Sequence, residues 1–183
     1  MSTLLIIGGT GFFGKSILDA YSRGLLSAWR IDKVISASRS ASKLINTNPG
    51  LVNDNVELLD IDITSTDTLP FADYVIHAAA STDASRYISQ SDIEKKNIIS
   101  GTLNYCRLAT KFHKDSKIVF CSSGAVYGYQ PEQVKYLTED MTFGNIEHLE
   151  EVKKSYSYAK RDAEIAIQKL GQAGLNVSIA RCF

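Results

Sequence analysis

The sequence has little that would staple the chain or bind it to a charged or lipid surface. Its three cysteines, Cys106, Cys121 and Cys182, are odd in number and far apart. No C-x-x-C pair occurs, so no disulfide framework and no cysteine zinc site is expected, and no metal. A reduced, cytoplasmic protein follows. Charge of either sign is not in excess: 20 basic and 20 acidic residues leave a formal net charge of zero. That gives no reason to expect nucleic acid as a partner. No apolar run approaches the ~20 residues needed to cross a bilayer, so no membrane partner is expected. The N-terminus lacks the basic region and long apolar core of a signal peptide. Internal repeats and low-complexity segments are absent.

What remains is an ordinary globular composition, 44% hydrophobic and 22% charged over 183 residues. One domain of that size buries roughly 70% of its unfolded surface. Short apolar runs read as strands at Leu4–Ile7, Lys33–Ser38, Val56–Leu59, Tyr74–Ala78, Lys117–Cys121 and Asn176–Ala180. Helix-period segments lie between them, at Phe12 to about Arg23, Asp92 to Phe112 and Ser155 to Gln172. Apolar strands alternating with helices imply a parallel sheet covered on both faces. Right-handed crossovers then predict an α/β, Rossmann-type doubly wound sheet in the order 3-2-1-4-5-6. Ser40–Asn55 reads as a surface connection. Gly128–Lys154 is long and polar, and follows the carboxyl end of a strand, where ligands bind in such folds.

The first strand runs into Gly8-Gly9-Thr10-Gly11-Phe12-Phe13-Gly14. A sharp strand-to-helix turn favours glycine, and a backbone that must approach a pyrophosphate cannot carry a Cβ. The following helix N-terminus offers free N–H groups to an anion. Residues 8–14 are therefore the candidate phosphate cradle, set against a glycine turn that holds no ligand. The second strand ends in Ser38-Arg39, where NAD-preferring folds place an acid for the ribose 2′-hydroxyl. Arg39 suits a 2′-phosphate, or is simply a solvated arginine. Asp62 and Ile63 follow the third strand; Asp62 either accepts from an adenine amino group or caps a loop.

Tyr156 and Lys160 stand at Y-x-x-x-K spacing, neighbours on one helical face. A phenol with pKa about 10 is a poor base at pH 7, but a nearby cation favours the phenolate. Tyr156 then takes a proton as hydride leaves the carbon, and returns it in the reverse direction. Tyr158 faces elsewhere. Upstream, Ser122 and Ser123 close the fifth strand, where a hydroxyl can orient a substrate oxygen, or merely form a turn.

The glycine turn, "VIHAAA" at 75–80, "CSSGAVYG" at 121–128, "SYSYAKRDAE" at 155–164 and "IARCF" at 179–183 together resemble the extended short-chain dehydrogenases, the NAD-dependent epimerase/dehydratase family. The match in order and spacing runs over essentially the whole chain. The resemblance implies that Ser123 is the catalytic hydroxyl, that Tyr156 is the acid/base, and that Lys160 lowers its pKa and holds the nicotinamide ribose. It implies that Gly8, Gly11 and Gly14 carry the pyrophosphate, with Thr10, Phe12 and Phe13 beside it. Asp62 and Ile63 would lie by adenine, and Ala78, Ala79 and Ala80 would line the cofactor. Asn97 sits where such proteins have a supporting helix asparagine, and Glu164 matches a structural glutamate.

Two departures refine the reading. Ile7 replaces a usual threonine before the first glycine, which a buried strand tolerates. Gly124-Ala125 follow Ser123 where sugar 4,6-dehydratases carry Asp-Glu, which argues for an epimerase or keto-sugar reductase. With Ser38-Arg39, NADP is the expected cofactor ahead of NAD, and a nucleotide sugar the expected substrate. The alternatives are reduction of a small non-sugar carbonyl and a non-catalytic dinucleotide-binding regulator. After Arg181-Cys182-Phe183 the family continues into a substrate-binding lobe. Residues 1–183 are thus expected to be an NAD(P)-binding domain with that lobe missing.

A homodimer is expected through the helices around 92–112 and 155–172, as in the related four-helix bundles. Ile99, Leu103 and Cys106 form one stripe, and Gly101, Tyr105, Leu108 and Phe112 another; one covers the sheet and leaves the other for a partner helix or a covering loop. Ala163, Ile167 and Leu170 offer the matching surface. Cys121 and His77 read as core, His113 and His148 as solvent-facing, and Trp29 as an anchor before the second strand.

Overall fold

The computed structural model describes residues 2–80 and 84–183. Six parallel strands form one sheet: β1 (Ser2–Ile7), β2 (Ile31–Ser38), β3 (Val56–Asp60), β4 (Tyr74–His77), β5 (Lys117–Ser123) and β6 (Asn176–Cys182). Their order is β3-β2-β1-β4-β5-β6, the order expected. The direction of strand addition reverses between β1 and β4, which pair in parallel from Leu4↔Tyr74 to Ile7↔His77. Such a switch point opens a crevice at the carboxyl ends of the strands.

Side-chain alternation along each strand feeds two cores. Leu4, Ile6 and Val34 face one side, where they pack on Leu18 of helix α1 (Phe12–Ser22) and Leu44 of the short helix α2 (Leu44–Thr47). Leu5, Ile7, Ile35, Val75, Ile118 and Phe120 face the other. There they meet the long helices α3 (Ala84–Phe112) and α4 (Glu151–Gln172), which run against each other. Backbone at Gln90 leaves helical geometry (φ −146°, ψ 40°) and kinks α3. No described helix is long and apolar enough to cross a membrane.

Some expectations fail for packing reasons. Ala163, Ile167 and Leu170 are buried in the core beneath α4 and offer nothing to a partner. On α3 the expected division holds instead: Tyr105 and Leu108 of one stripe turn inward, while Leu103 of the other is exposed. His113 is buried rather than solvent-facing, its Nε2 3.0 Å from the Pro70 carbonyl oxygen. Trp29 is 61% exposed and anchors nothing. The Ser40–Asn55 connection contains helical turns and buries Ala41 and Leu44.

Candidate active site and cofactor cleft

A cleft of about 440 Å³ opens at the switch point. Its walls include Gly8, Thr10 and Gly11 of the glycine turn, Ser38 and Arg39 after β2, and Asp62 and Ile63 after β3. Ala78, Ala79 and Ala80 after β4 and Asn97 on α3 complete it. Residues distant in sequence thus converge because each follows the carboxyl end of a neighbouring strand.

The glycine turn is built for close approach. Gly8 has φ +98°, and a Cβ there would stand 2.7 Å from Ala78 backbone atoms. A Cβ on Gly14 would meet the Gly9 backbone at 2.5 Å, so Gly14 seats α1 against the turn rather than lining the cleft. No side chain caps α1 at Gly11. The first-turn N–H groups have no intrahelical acceptor and are left for an anion. Phe12 is exposed and Phe13 half-buried, their rings edge to face beside the turn, outside the cleft wall.

On the β2 side, Thr10 donates to Ser38 Oγ at 3.1 Å, linking the turn to β2. Arg39 lies exposed at the rim, with no hydrogen bond or ion pair among the described residues. Asp62 caps its own turn: Oδ1 accepts from the Thr64 amide at 2.9 Å and its hydroxyl at 2.8 Å. The loop role is therefore real, and Oδ2 is left without a partner among the described residues.

Ser123, Tyr156 and Lys160 do not line this cleft. They gather beyond β4, at the end of β5 and on α4. The Tyr156 and Ser123 hydroxyls are hydrogen-bond partners, and Ser123 Oγ accepts from the Ala125 amide at 3.2 Å. Ser122 points elsewhere, donating to Glu164 at 2.5 Å. Of the two candidate serines, only Ser123 therefore meets the tyrosine. Lys160 is 3% exposed. Its Nζ donates to the Cys121 carbonyl at 2.9 Å and lies 5.8 Å from the Tyr156 ring centroid. Burial lowers the Lys160 pKa to about 8. Burial also pushes the Tyr156 phenol above its ordinary value, against the lowering effect of the Ser123 bond. Tyr158 is held by Glu147, away from the pair.

Several participants escaped the sequence reading. Glu94 is buried and lines the cleft beside Asn97; its i, i+3 spacing from Asn97 was the available signal. Arg181 pairs with Glu164 at 3.0 Å and donates to the Tyr127 hydroxyl at 3.1 Å. Phe143 packs under both Arg161 and Arg181, each guanidinium 4.9 Å from its ring centroid. These contacts tie the 128–150 segment to the site, with Arg161 donating to the Gly144 carbonyl at 2.7 Å.

The profile of the NAD dependent epimerase/dehydratase family matches residues 4–183. The chain belongs to that family. DesIV, a dTDP-glucose 4,6-dehydratase from Streptomyces venezuelae solved with NAD and TYD bound, superimposes with a TM-score of 0.81 at 20% identity. The match covers 98% of this chain and 55% of DesIV. UDP-N-acetylglucosamine 4-epimerase from Methanobrevibacter ruminantium M1, solved with UDP-N-acetylmuramic acid, gives 0.77 at 23% identity, over 98% of this chain and 54% of that one. The dTDP-glucose 4,6-dehydratase of Bacillus anthracis str. Ames, solved with NAD, gives 0.71 at 20%, covering 100% and 54%. The chain spans about half the length of these neighbours, and at such identity they establish the fold. No curated protein matches this chain.

Proposed function

We propose that this chain is the nucleotide-binding part of an NAD(P)-dependent enzyme that epimerises or reduces a nucleotide-activated sugar. The observation that carries the reading is the hydrogen-bonded Ser123–Tyr156 pair with the buried Lys160 ammonium beside it. The cleft at the switch point fits a dinucleotide. Its glycines leave no room for a Cβ, and its helix N-terminus is uncapped.

Gly8, Gly11 and the first-turn amides of α1 would hold the pyrophosphate, and Asp62 and Ile63 the adenine end. Ser38 and Arg39 would take the ribose and a 2′-phosphate, which favours NADP. Ala78, Ala79, Ala80 and Asn97 would line the path toward Tyr156. When bound, the nicotinamide supplies or accepts the hydride. Ser123 orients the substrate oxygen and Tyr156 moves its proton. Lys160, fixed by the Cys121 carbonyl, would bring the positive charge that has to work against the burial raising the Tyr156 phenol.

Epimerisation or keto-reduction is preferred to dehydration because Gly124-Ala125, and no acid, follow Ser123. The nucleotide-sugar class follows from family membership and from the sugar-nucleotide enzymes among the neighbours.

The test is Tyr156→Phe in the protein that carries this chain. The proton-transferring oxygen is lost and little packing changes. Turnover of nucleotide sugars should fall by ~10²–10⁴, while NADPH titrates as in the wild type. Turnover near wild type would sink the assignment.

A further inference from the structure

Behind Ser123 lies a carboxylate that the proposed chemistry does not use. Glu164 is 1% exposed. Its Oε1 accepts the 2.5 Å hydrogen bond from Ser122. Arg181 grips both its oxygens, with Nε at 3.1 and 3.3 Å and Nη2 at 3.0 Å. Through Nη1, Arg181 also donates to the Glu139 carbonyl at 2.9 Å. The Glu164–Arg181 pair therefore joins α4, β5, β6 and the 128–150 segment.

Two consequences follow from this placement. Consecutive strand residues point to opposite faces. Holding Ser122 against α4 fixes the roll of the strand end, and with it the direction of Ser123. Positions 156, 160 and 164 are also spaced i, i+4 and share one stripe of α4. That puts the Glu164 carboxylate one turn from the Lys160 amine. We propose that Glu164 is a positioning residue of this site, aiming Ser123 through Ser122 and keeping Lys160 in its ammonium form. The proposal rests on the assignment of Ser123, Tyr156 and Lys160 above.

The groups facing Lys160 are Cys121 and the Phe120 ring on β5, Cys182 on β6, His77 on β4, and Tyr156 and Glu164 on α4. Burial is the main influence and lowers Lys160 to about 8, while Cys121, Cys182 and Glu164, in that order, act in the opposite sense. Burial drives His77 down to about 4 and Cys121 up to about 11, so both are neutral near pH 8.

Lys160 is read directly by NMR in protein carrying ¹³C at the lysine ε positions. Its resonance is identified by its loss in Lys160→Met. Glu164→Gln should lower the pH midpoint by about one unit, and Ser122→Ala should leave it in place. A folded Glu164→Gln variant with an unmoved midpoint overturns the proposal. Should that variant fail to fold, Arg181→Gln is read instead. Freed of its guanidinium, Glu164 acts more strongly on Lys160 and the midpoint rises; no rise overturns the proposal. The Ser122 branch is read in turnover. Ser122→Ala should lower kcat at unchanged KM, and Ser122→Thr should restore it. Full kcat in Ser122→Ala removes that branch. These outcomes are distinct from failure of the underlying assignment, which would appear as turnover retained in Tyr156→Phe.

Discussion

Gly8 and Ala78 meet backbone to backbone, with no flexible side chain between them. A Cβ on Gly8 would lie 2.7 Å from the Ala78 carbonyl carbon and equally near the Ala79 nitrogen. This contact closes the glycine turn of β1 against the end of β4. It puts both walls of the cleft in one place.

Gly8→Ala should therefore be costly in two ways. It forces a side chain into left-handed backbone and into a neighbour that cannot yield. The sum is about 2–5 kcal/mol. Gly24→Ala is the control: φ is +72°, yet nothing lies within 4 Å of the added carbon. Strain alone should cost about 1–2 kcal/mol there. Urea unfolding of both variants decides the matter, and equal losses would mean that the Ala78 contact carries no weight.

Arg39 should set cofactor preference. It stands at the rim of the cleft with no hydrogen bond or ion pair among the described residues. Its fork of donors suits a 2′-phosphate. NADPH should bind more tightly than NADH in fluorescence titrations. Arg39→Asp should reverse the order, because a carboxylate repels the phosphate and accepts from a free 2′-hydroxyl. A ratio that Arg39→Asp leaves unchanged would assign the preference elsewhere.

Most of the fold was legible because strand and helix periods are local. Leu4–Ile7 and Lys117–Cys121 are apolar runs too short for helices, and right-handed crossovers leave few strand orders. The grouping of residues in the cleft was legible for a related reason. Gly8, Ser38, Asp62 and Ala78 each follow a strand, so knowing the sheet order places them together. What escaped depends on long-range packing. Nothing near His113 in sequence says that the Pro70 carbonyl will accept from its ring, and nothing near Ser122 says that Glu164 waits opposite it on α4. The inward turn of Ala163 and Ile167 was missed because an apolar helical stripe does not say whether sheet or partner covers it.

The corrected packing alters the expected dimer surface. Among the described residues, Ile93 and Leu103 on α3 and Ile165 on α4 are the exposed large apolar side chains of the two long helices. A homodimer through α3 and α4 should bury them. Sedimentation at tens of micromolar should show a dimer, and Leu103→Lys with Ile165→Lys should yield a folded monomer. A wild-type monomer at that concentration, well above a micromolar dissociation constant (about −8 kcal/mol), would rule this surface out.

The last prediction concerns acid stability and turns on His77. The ring is fully buried between Tyr105 and Phe120, with centroids 4.9 and 5.4 Å away. Burial, helped by the Lys160 charge, lowers its pKa to about 4 from 6.5. Between those values the unfolded chain binds a proton that the folded chain refuses. Unfolding is therefore favoured progressively as pH falls from about 6.5 to about 4, and above 6.5 the group adds no slope. The full effect is about 3 kcal/mol. His113, also lowered by burial, tilts the curve the same way, as do the exposed carboxylates lowered by hydrogen bonds at Asp60, Asp140 and Glu147. The absolute slope thus has several sources, and a difference isolates one of them. His77→Phe keeps an aromatic ring in the slot and removes only the titration. Its stability should fall less steeply than the wild type's between pH 6.5 and 4, measured by urea unfolding at each pH. Parallel curves for the two proteins would show that His77 does not resist protonation in the fold.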